Sequence, residues 1–269
     1  MDETLTAESL GTAPGHGLLT GRKVLVVGGG QRTYDQPDPP AGIGRAISVL
    51  AAAEGAAVAV ADLHREAAEA TAGLIGDAVA LTVDCADETS LEHGVREAAE
   101  ALGGLDGLVL NVGVVGGLGF AHTPADTWDQ VLAINVRAQF LAIKFALPVL
   151  PRGSSIVLTS SIAARKPSVT AIPAYATSKA ALGGLAAFAA REAAQAGIRV
   201  NVVMPGLIDT ALGRLADQVD ATRAGTPIPL GRQGTAWEVA NAAVFLLAHT
   251  SAYITGHTLV VDGGLTEAG

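Results

Sequence analysis

One cysteine, Cys85, stands in the whole chain, so no intrachain disulfide can form, as expected of a protein kept in a reducing compartment. Aromatic residues are scarce, at 4%, while glycine alone numbers 33, a composition that favours close packing of helices on a sheet. No continuous apolar run approaches the ~18 residues that suggest a membrane span. Basic residues are outnumbered, 17 against 26 acidic, for a net charge of −9, which argues against nucleic acid and anionic membranes as partners. Residues 1–20 lack the positive n-region and apolar h-region of a signal peptide and read as a loosely ordered, flexible extension. The chain therefore reads as cytoplasmic. What it does contain is apolar: 49% hydrophobic residues and a mean hydropathy of +0.40 supply a large core and subunit contacts.

Short β-type runs alternate with helical stretches. Residues 23–28, 57–62, 78–84, 106–111, 154–160, 198–204 and 258–261 are near-continuous Val, Ile, Leu and Ala, the pattern of parallel strands buried on both faces. Helical segments fall at 42–54, 65–75, 88–102, 125–149, 174–196 and 235–248. Such alternation predicts an α/β fold: a doubly wound parallel sheet of about seven strands with helices on both faces. No composition break marks a second domain, so 21–269 reads as one domain. The segments 125–149 and 174–196 are apolar on most of their circumference, which requires cover on more than one side. One side faces the sheet; the other is expected to face a second subunit.

The strongest chemical signal is Tyr175-Ala176-Thr177-Ser178-Lys179, preceded by the serine pair Ser160-Ser161 at the end of an apolar run. Four residues is about one helical turn, so phenol and ammonium share a helix face. A cation held near a tyrosine lowers its pKa from ~10 and fits it to exchange a proton with an alcohol or carbonyl oxygen. Alone, Tyr-x-x-x-Lys also arises by chance in helices. A second signal lies upstream, where the first strand runs into Gly28-Gly29-Gly30 and a helix opens at Gly42-Ile43-Gly44. Glycines at a strand-to-helix turn let a pyrophosphate approach the helix N-terminus. Asp62 ends the second strand, where a carboxylate can accept bonds from ribose hydroxyls. Asp84, followed by Cys85, ends the third strand near the place for an adenine. Either aspartate could instead be a helix cap or turn residue.

Together these residues resemble the short-chain dehydrogenase/reductase family over roughly 21–265. Asn111-Val112-Gly113 is similar to the family's Asn-Asn-Ala-Gly segment, with Leu110 and Val112 as departures. Asn135, Ser161, Tyr175 and Lys179 match its catalytic tetrad. Pro205-Gly206-Leu207-Ile208-Asp209-Thr210 is similar to the segment over the nicotinamide, with Thr210 reaching the carboxamide. Residues 254–256 and 261–264 resemble its C-terminal strand signature. Two spacings depart from the pattern. Thirteen residues separate Gly28 from Gly42, an insertion in the glycine-rich loop, and Ser161 lies one residue further from Tyr175 than is common.

The resemblance implies hydride transfer between a nicotinamide and a carbon bearing oxygen, interconverting a secondary alcohol and a ketone. Tyr175 acts as general acid/base, Lys179 lowers its pKa and binds ribose, Ser161 holds the substrate oxygen, and Asn135 supports a water that links Lys179 to solvent. Gly28, Gly30, Gly42, Ile43, Gly44, Asp62, Asp84, Cys85, Asn111, Gly113, Tyr175, Lys179, Pro205, Gly206, Ile208 and Thr210 are the expected cofactor contacts, and no metal is called for. Asp62 favours NAD over NADP by repelling a 2′-phosphate, against which Arg32 is the one counterweight. Val112, Val114, Ile162, Ile172, Leu207 and Leu212 predict an apolar wall for the alcohol or ketone. Arg165 and Lys166 read as solvated loop charges, with a substrate carboxylate as the alternative. The loop 31–41 is expected to lie over the adenosine or pyrophosphate as a flap. A homotetramer is the expected assembly. The competing readings are a nucleotide-binding regulator without turnover, and a reductase of C=N or C=C bonds.

Overall fold

The computed structural model describes residues 4–166, 171–219, 223 and 225–268. Seven parallel strands form one sheet: β1 (Lys23–Val27), β2 (Ala57–Asp62), β3 (Val79–Thr82), β4 (Gly107–Leu110), β5 (Ser155–Thr159), β6 (Arg199–Pro205) and β9 (Thr258–Val261). Their order across the sheet is β3-β2-β1-β4-β5-β6-β9. Between β1 and β4 the direction of winding reverses, which opens a crevice beyond their carboxyl ends. A two-stranded pair, β7 (Ile208–Asp209) and β8 (Gly234–Thr235), stands apart from the main sheet.

Each strand divides its side chains between two cores, because successive residues point to opposite faces. Leu25, Val27, Leu108, Leu110, Ile156 and Leu158 pack on α4 (Glu88–Ala101), α6 (Ala138–Ala146) and α7 (Pro173–Ala193). Val24, Val26, Val109 and Val157 pack on α2 (Ile43–Ala53), α3 (Arg65–Ile75) and α9 (Ala236–Leu247). Truncating a fully buried leucine such as Leu158 to alanine costs about 2–5 kcal/mol in such a core.

The stretch 125–149, expected as one helix, is broken. α5 (Ala125–Leu132) passes into a π-helical turn, Ala133–Arg137, before α6 resumes the regular helix. Asn135 sits in that turn, fully buried. A π-turn shifts the hydrogen-bond ladder by one residue and re-aims side chains, which hydrophobic periodicity does not register.

The N-terminal segment also departs from the loose extension that its composition suggests. α1 (Ala7–Leu10) is capped by Thr6. The Ser9 hydroxyl donates to Glu238 Oε1 at 3.0 Å, and Thr235 Oγ1 donates to the Ser9 carbonyl at 2.6 Å. Further on, the backbone N–H groups of His16 and Leu18 both donate to Glu54 Oε2, and Leu19 is fully buried. These partners lie on α9 and at the end of α2, remote in sequence, so local composition carried no sign of them.

Candidate active site

The crevice is floored by the turn after β1. Gly28 has φ 78°, the left-handed region that glycine adopts without penalty. A Cβ on Gly44 would stand 1.9 Å from the Gly28 carbonyl oxygen and 2.7 Å from Asn111 Nδ2. Asn111, at the end of β4, donates that amide to the Gly28 carbonyl at 3.0 Å and so fixes the turn. Gly42 is the N-cap of α2 and makes no side-chain cap, which leaves N–H groups of the first turn facing the crevice. Beside it, Asp62 Oδ2 accepts from the Gly30 N–H at 3.1 Å, and Oδ1 accepts from the His64 N–H at 3.1 Å. A Cβ on Gly30 would meet Asp62 Oδ2 at 2.6 Å, so the carboxylate lies directly against the glycine turn.

Asp84 closes a turn through its own side chain, accepting from the Ala86 N–H at 2.8 Å. Cys85 packs partly buried against the α4–α6 core. Burial, then the charges of Asp84 and Asp62, push its thiol up to about 12, which keeps it from acting as a thiolate. On the other edge, the Gly206 N–H donates to the Val261 carbonyl at 2.8 Å, and a Cβ there would strike Asp262 Cα at 2.6 Å. Pro205 ends β6 and Ile208 begins β7. Thr210 Oγ1 accepts from the Gly213 N–H at 3.0 Å at the start of α8 (Ala211–Val219).

The reactive groups meet at the ends of β4 and β5. Tyr175 and Lys179 lie on the first turns of α7, and Lys179 Nζ is 5.8 Å from the tyrosine ring centre. Lys179 Nζ donates to the Thr159 carbonyl at 2.9 Å and the Val112 carbonyl at 3.3 Å. Burial brings its pKa down to about 8. Ser161 caps a short 3-10 turn, Ile162–Ala164, its side chain accepting from the Ala163 N–H at 3.2 Å, and lies near enough to Tyr175 to act on its phenol. Ser160 points the other way and donates to the Lys179 carbonyl at 2.7 Å. The two serines are thereby told apart: Ser161 faces the phenol and Ser160 fastens α7 to β5.

Burial pushes the Tyr175 phenol above its ordinary range, while the Ser161 hydrogen bond and the charge of Arg223 pull it back. Lys179, expected to be the group that lowers it, is turned toward two backbone carbonyls. Arg223 could not be singled out from sequence, because nothing near it in the chain marks it as a neighbour of Tyr175.

Asn135 grips Val114 from both sides, accepting from its N–H at 2.8 Å and donating to its carbonyl at 2.9 Å. Its amide also donates to Ser178 Oγ at 2.9 Å, and Ser178 donates to the Tyr175 carbonyl at 2.7 Å. The backbone carbonyl of Asn135 accepts from Gln139 Nε2 at 3.0 Å, a contact that sequence reading missed. Gly113 passes close to Lys179: a Cβ there would stand 3.1 Å from Nζ.

Of the residues expected to form an apolar wall, Ile162 and Leu207 pack in a cluster with Met204, Leu265 and the Tyr175 ring. Val112 does not join them. Its side chain packs against the core on the α4–α6 side, and only its carbonyl serves the site. Arg165 pairs with Glu267 at 3.3 Å and Lys166 Nζ donates to the Leu265 carbonyl at 2.9 Å, so the C-terminal tail holds both. Residues 167–170 of the loop between Ser161 and Tyr175 lie outside the described residues.

A family model described as enoyl-(acyl carrier protein) reductase matches residues 40–266. The chain belongs to the short-chain dehydrogenase/reductase family. Among relatives in that family, 2-(S)-hydroxypropyl-CoM dehydrogenase 3 of Xanthobacter autotrophicus is 33% identical over 261 residues, covering 92% of this chain and 98% of the relative. A 2,5-dichloro-2,5-cyclohexadiene-1,4-diol dehydrogenase of Sphingobium indicum is 32% identical over 252 residues, covering 91% and 96%. The solved structure of a short-chain dehydrogenase/reductase from Serratia marcescens superposes with a TM-score of 0.81 at 34% identity, covering 92% of this chain and 99% of that one. Dehydrogenases of the short-chain dehydrogenase/reductase family use nicotinamide cofactors. The glycine turn, which any Cβ at Gly44 would fill, and the uncapped start of α2 fit such a dinucleotide.

Proposed function

We propose that the protein is an NAD-dependent oxidoreductase that interconverts a secondary alcohol and a ketone. The observation that carries this reading is the placing of Tyr175 and the buried Lys179 one helical turn apart on α7, with Nζ 5.8 Å from the ring centre and Ser161 beside them, on the crevice floored by the glycine turn. Bound there, the nicotinamide supplies the site that accepts or donates hydride. Gly28, Gly30, Gly42, Ile43 and Gly44 would hold the pyrophosphate, with Asn111 and Gly113 along the crevice. Asp62 would take ribose hydroxyls, Asp84 and Cys85 would border the adenine, and Pro205, Gly206, Ile208 and Thr210 would close the nicotinamide end.

Tyr175 moves the proton. In reduction its phenol donates to the developing alkoxide; in oxidation it accepts the alcohol proton. The raised phenol favours the acid role in the free protein, and Ser161 and Arg223 are the groups that ease its ionisation. Ser161 also orients the substrate oxygen. Lys179, held by two carbonyls, is placed to bind ribose hydroxyls, and Asn135 shapes the Val114 backbone beside it.

Asp62 favours NAD over NADP, since its carboxylate lies where a 2′-phosphate would be repelled. The relatives' names, a hydroxypropyl conjugate and a cyclic diol, support a secondary alcohol as substrate, and Ile162 and Leu207 give the site an apolar wall. The description of the matching family model favours one second reading, reduction of an activated C=C bond by the same hydride. Nicotinamide absorbance, followed with a panel of secondary alcohols, ketones and enoyl thioesters and with both cofactors, separates these. Turnover of alcohols and ketones with NAD is the expected result. Turnover confined to enoyl thioesters, or a clear preference for NADP, overturns the reading at the corresponding point.

The proposal extends to a cytoplasmic homotetramer built from one catalytic domain, with no nucleic-acid or membrane partner. No helix among the described residues is long and apolar enough to cross a membrane. Phe140 on α6 is 50% exposed and Phe188 on α7 is 69% exposed, and these are the faces that a second subunit would cover.

A further inference from the structure

The loop 31–41 does more than connect β1 to α2. At its neck the Gln31 side chain accepts from the Gly42 N–H at 2.9 Å and donates to the Pro40 carbonyl at 3.2 Å, so both ends of the loop are clasped together. At its far side Gln36 Nε2 donates to the Ala211 carbonyl at 2.8 Å, across 175 residues of sequence. Ala211 opens α8, immediately after Asp209 and Thr210.

The loop is held in this shape against its own preferences. Tyr34, Asp35 and Asp38 have φ of 51°, 57° and 48°, the left-handed region that non-glycine residues adopt only at a cost. Arg32 stacks over the Tyr34 ring at 5.2 Å. Pro37, Pro39 and Pro40 limit the alternatives open to the free chain.

The edges joined in this way are the two edges of the crevice. One is the glycine turn and the start of α2; the other is the run from Pro205 into α8. The sequence led us to expect cover over the adenosine or pyrophosphate, yet the loop's far contact is on the opposite, substrate side. We infer that residues 31–41 form a strap across the mouth of the crevice, and that Gln36 is a positioning residue that ties α8 to the dinucleotide turn, so that cofactor exchange requires Gln36 and Ala211 to part. This rests on the reading of the crevice as the nicotinamide site. The strap makes the cofactor side and the substrate side one mechanical unit: α8 is ordered over the alcohol only while the strap is closed, and the dinucleotide leaves only when both open.

The test uses the full-length protein with Gln36→Ala and with Gln36→Glu, which keeps the side chain's size but cannot donate as an ionised group. Amide hydrogen exchange of the ligand-free protein is measured first. Both variants should exchange faster in 31–41 and also in 211–219, remote in sequence. NADH release, followed by stopped-flow fluorescence, should accelerate about threefold to tenfold, the amount one hydrogen bond controls. The alcohol KM should rise while kcat holds or increases, a split that general loss of structure would not produce. Unchanged exchange in 211–219 in both variants overturns the strap. Release within about twofold of the unmodified protein, with exchange raised, overturns its role in cofactor exit. Failure of the unmodified protein to bind any nicotinamide is a different result: it sinks the functional reading and with it the claim about exchange, whereas hydrogen exchange still decides whether Gln36 holds α8.

Discussion

The Ser160 hydroxyl donates to the backbone carbonyl of Lys179 at 2.7 Å, buried between β5 and α7. One residue later the Ser161 side chain takes a different partner, accepting from the Ala163 N–H at 3.2 Å, and its neighbour Tyr175 feels it. Ser160 thus fixes the helix that carries Tyr175 and Lys179, while Ser161 is proposed to address the reacting oxygen.

Ser160→Ala should therefore lower stability by about 1 kcal/mol and change kcat little. Ser161→Ala should cost no more stability than the loss of one cap, about 1 kcal/mol, and cut turnover by ~10²-fold or more. It should also move the oxidation pH profile upward, because the hydrogen bond that pulls Tyr175 back from its burial-raised value is lost. Arg223→Ala should shift the profile in the same direction. Denaturant melts and pH–rate profiles of the variants check the division; equal activity losses at 160 and 161 would contradict it.

Tyr175→Phe should abolish proton transfer and reduce turnover by ~10²-fold or more, with nicotinamide binding retained. Isothermal titration with the cofactor and steady-state assays of the same preparation give the two halves of this result. Near-normal turnover would remove Tyr175 from the mechanism.

Lys179 falls from its ordinary 10.5 to about 8 on burial. Its folded pKa lies below its unfolded one, so between about pH 8 and 10.5 the unfolded chain binds the extra proton. Stability then rises with pH across that window. The burial penalty is fully present below pH 8 and is relieved above it. Against Lys179→Met, the unmodified protein should gain stability by about 3 kcal/mol between pH 7.5 and 10.5. Urea midpoints of both proteins at several pH values test the sign, and a parallel pH dependence would refute it.

Gly44→Ala should be severe, since its Cβ would stand 1.9 Å from the Gly28 carbonyl, an atom of the backbone. Gly42→Ala should be mild by comparison, because its nearest neighbour is the flexible Gln31 side chain at 3.8 Å. The expected result is loss of dinucleotide affinity and of thermal stability in the first variant, and near-normal values in the second. Dissociation constants for NAD and melting temperatures measure both.

Phe188→Glu and Phe140→Glu should weaken assembly, since each places a charge on an apolar face of α7 or α6. Light scattering should give an assembly well above 26.9 kDa for the unmodified protein and a smaller species for the variants. The monomer mass for the unmodified protein at micromolar concentration would refute the tetramer.

Much of the fold was written in the sequence, because it depends on local order. Residues 57–62 and 258–261 are strands at the bounds their β-rich runs suggest, and Arg65–Ile75 is a helix at the bounds of its segment. Each run repeats one periodicity, and a sheet buried on both faces accepts any run of Val, Ile and Leu. Tyr175 and Lys179 could be paired for the same reason, being one helical turn apart, whereas Asn135 and the choice of Ser161 over Ser160 came only through the family resemblance.

Only the tertiary structure decided which carbonyls hold Lys179, that Tyr175 is pushed up rather than down, and that Asn135 sits in a π-turn closed by Gln139. The same is true of the docked N-terminus and of the contact between Gln36 and Ala211. These depend on burial and on pairs of groups far apart in the chain. Periodicity reports which face of an element is apolar, but it says nothing about the partner that a polar atom finds across the fold.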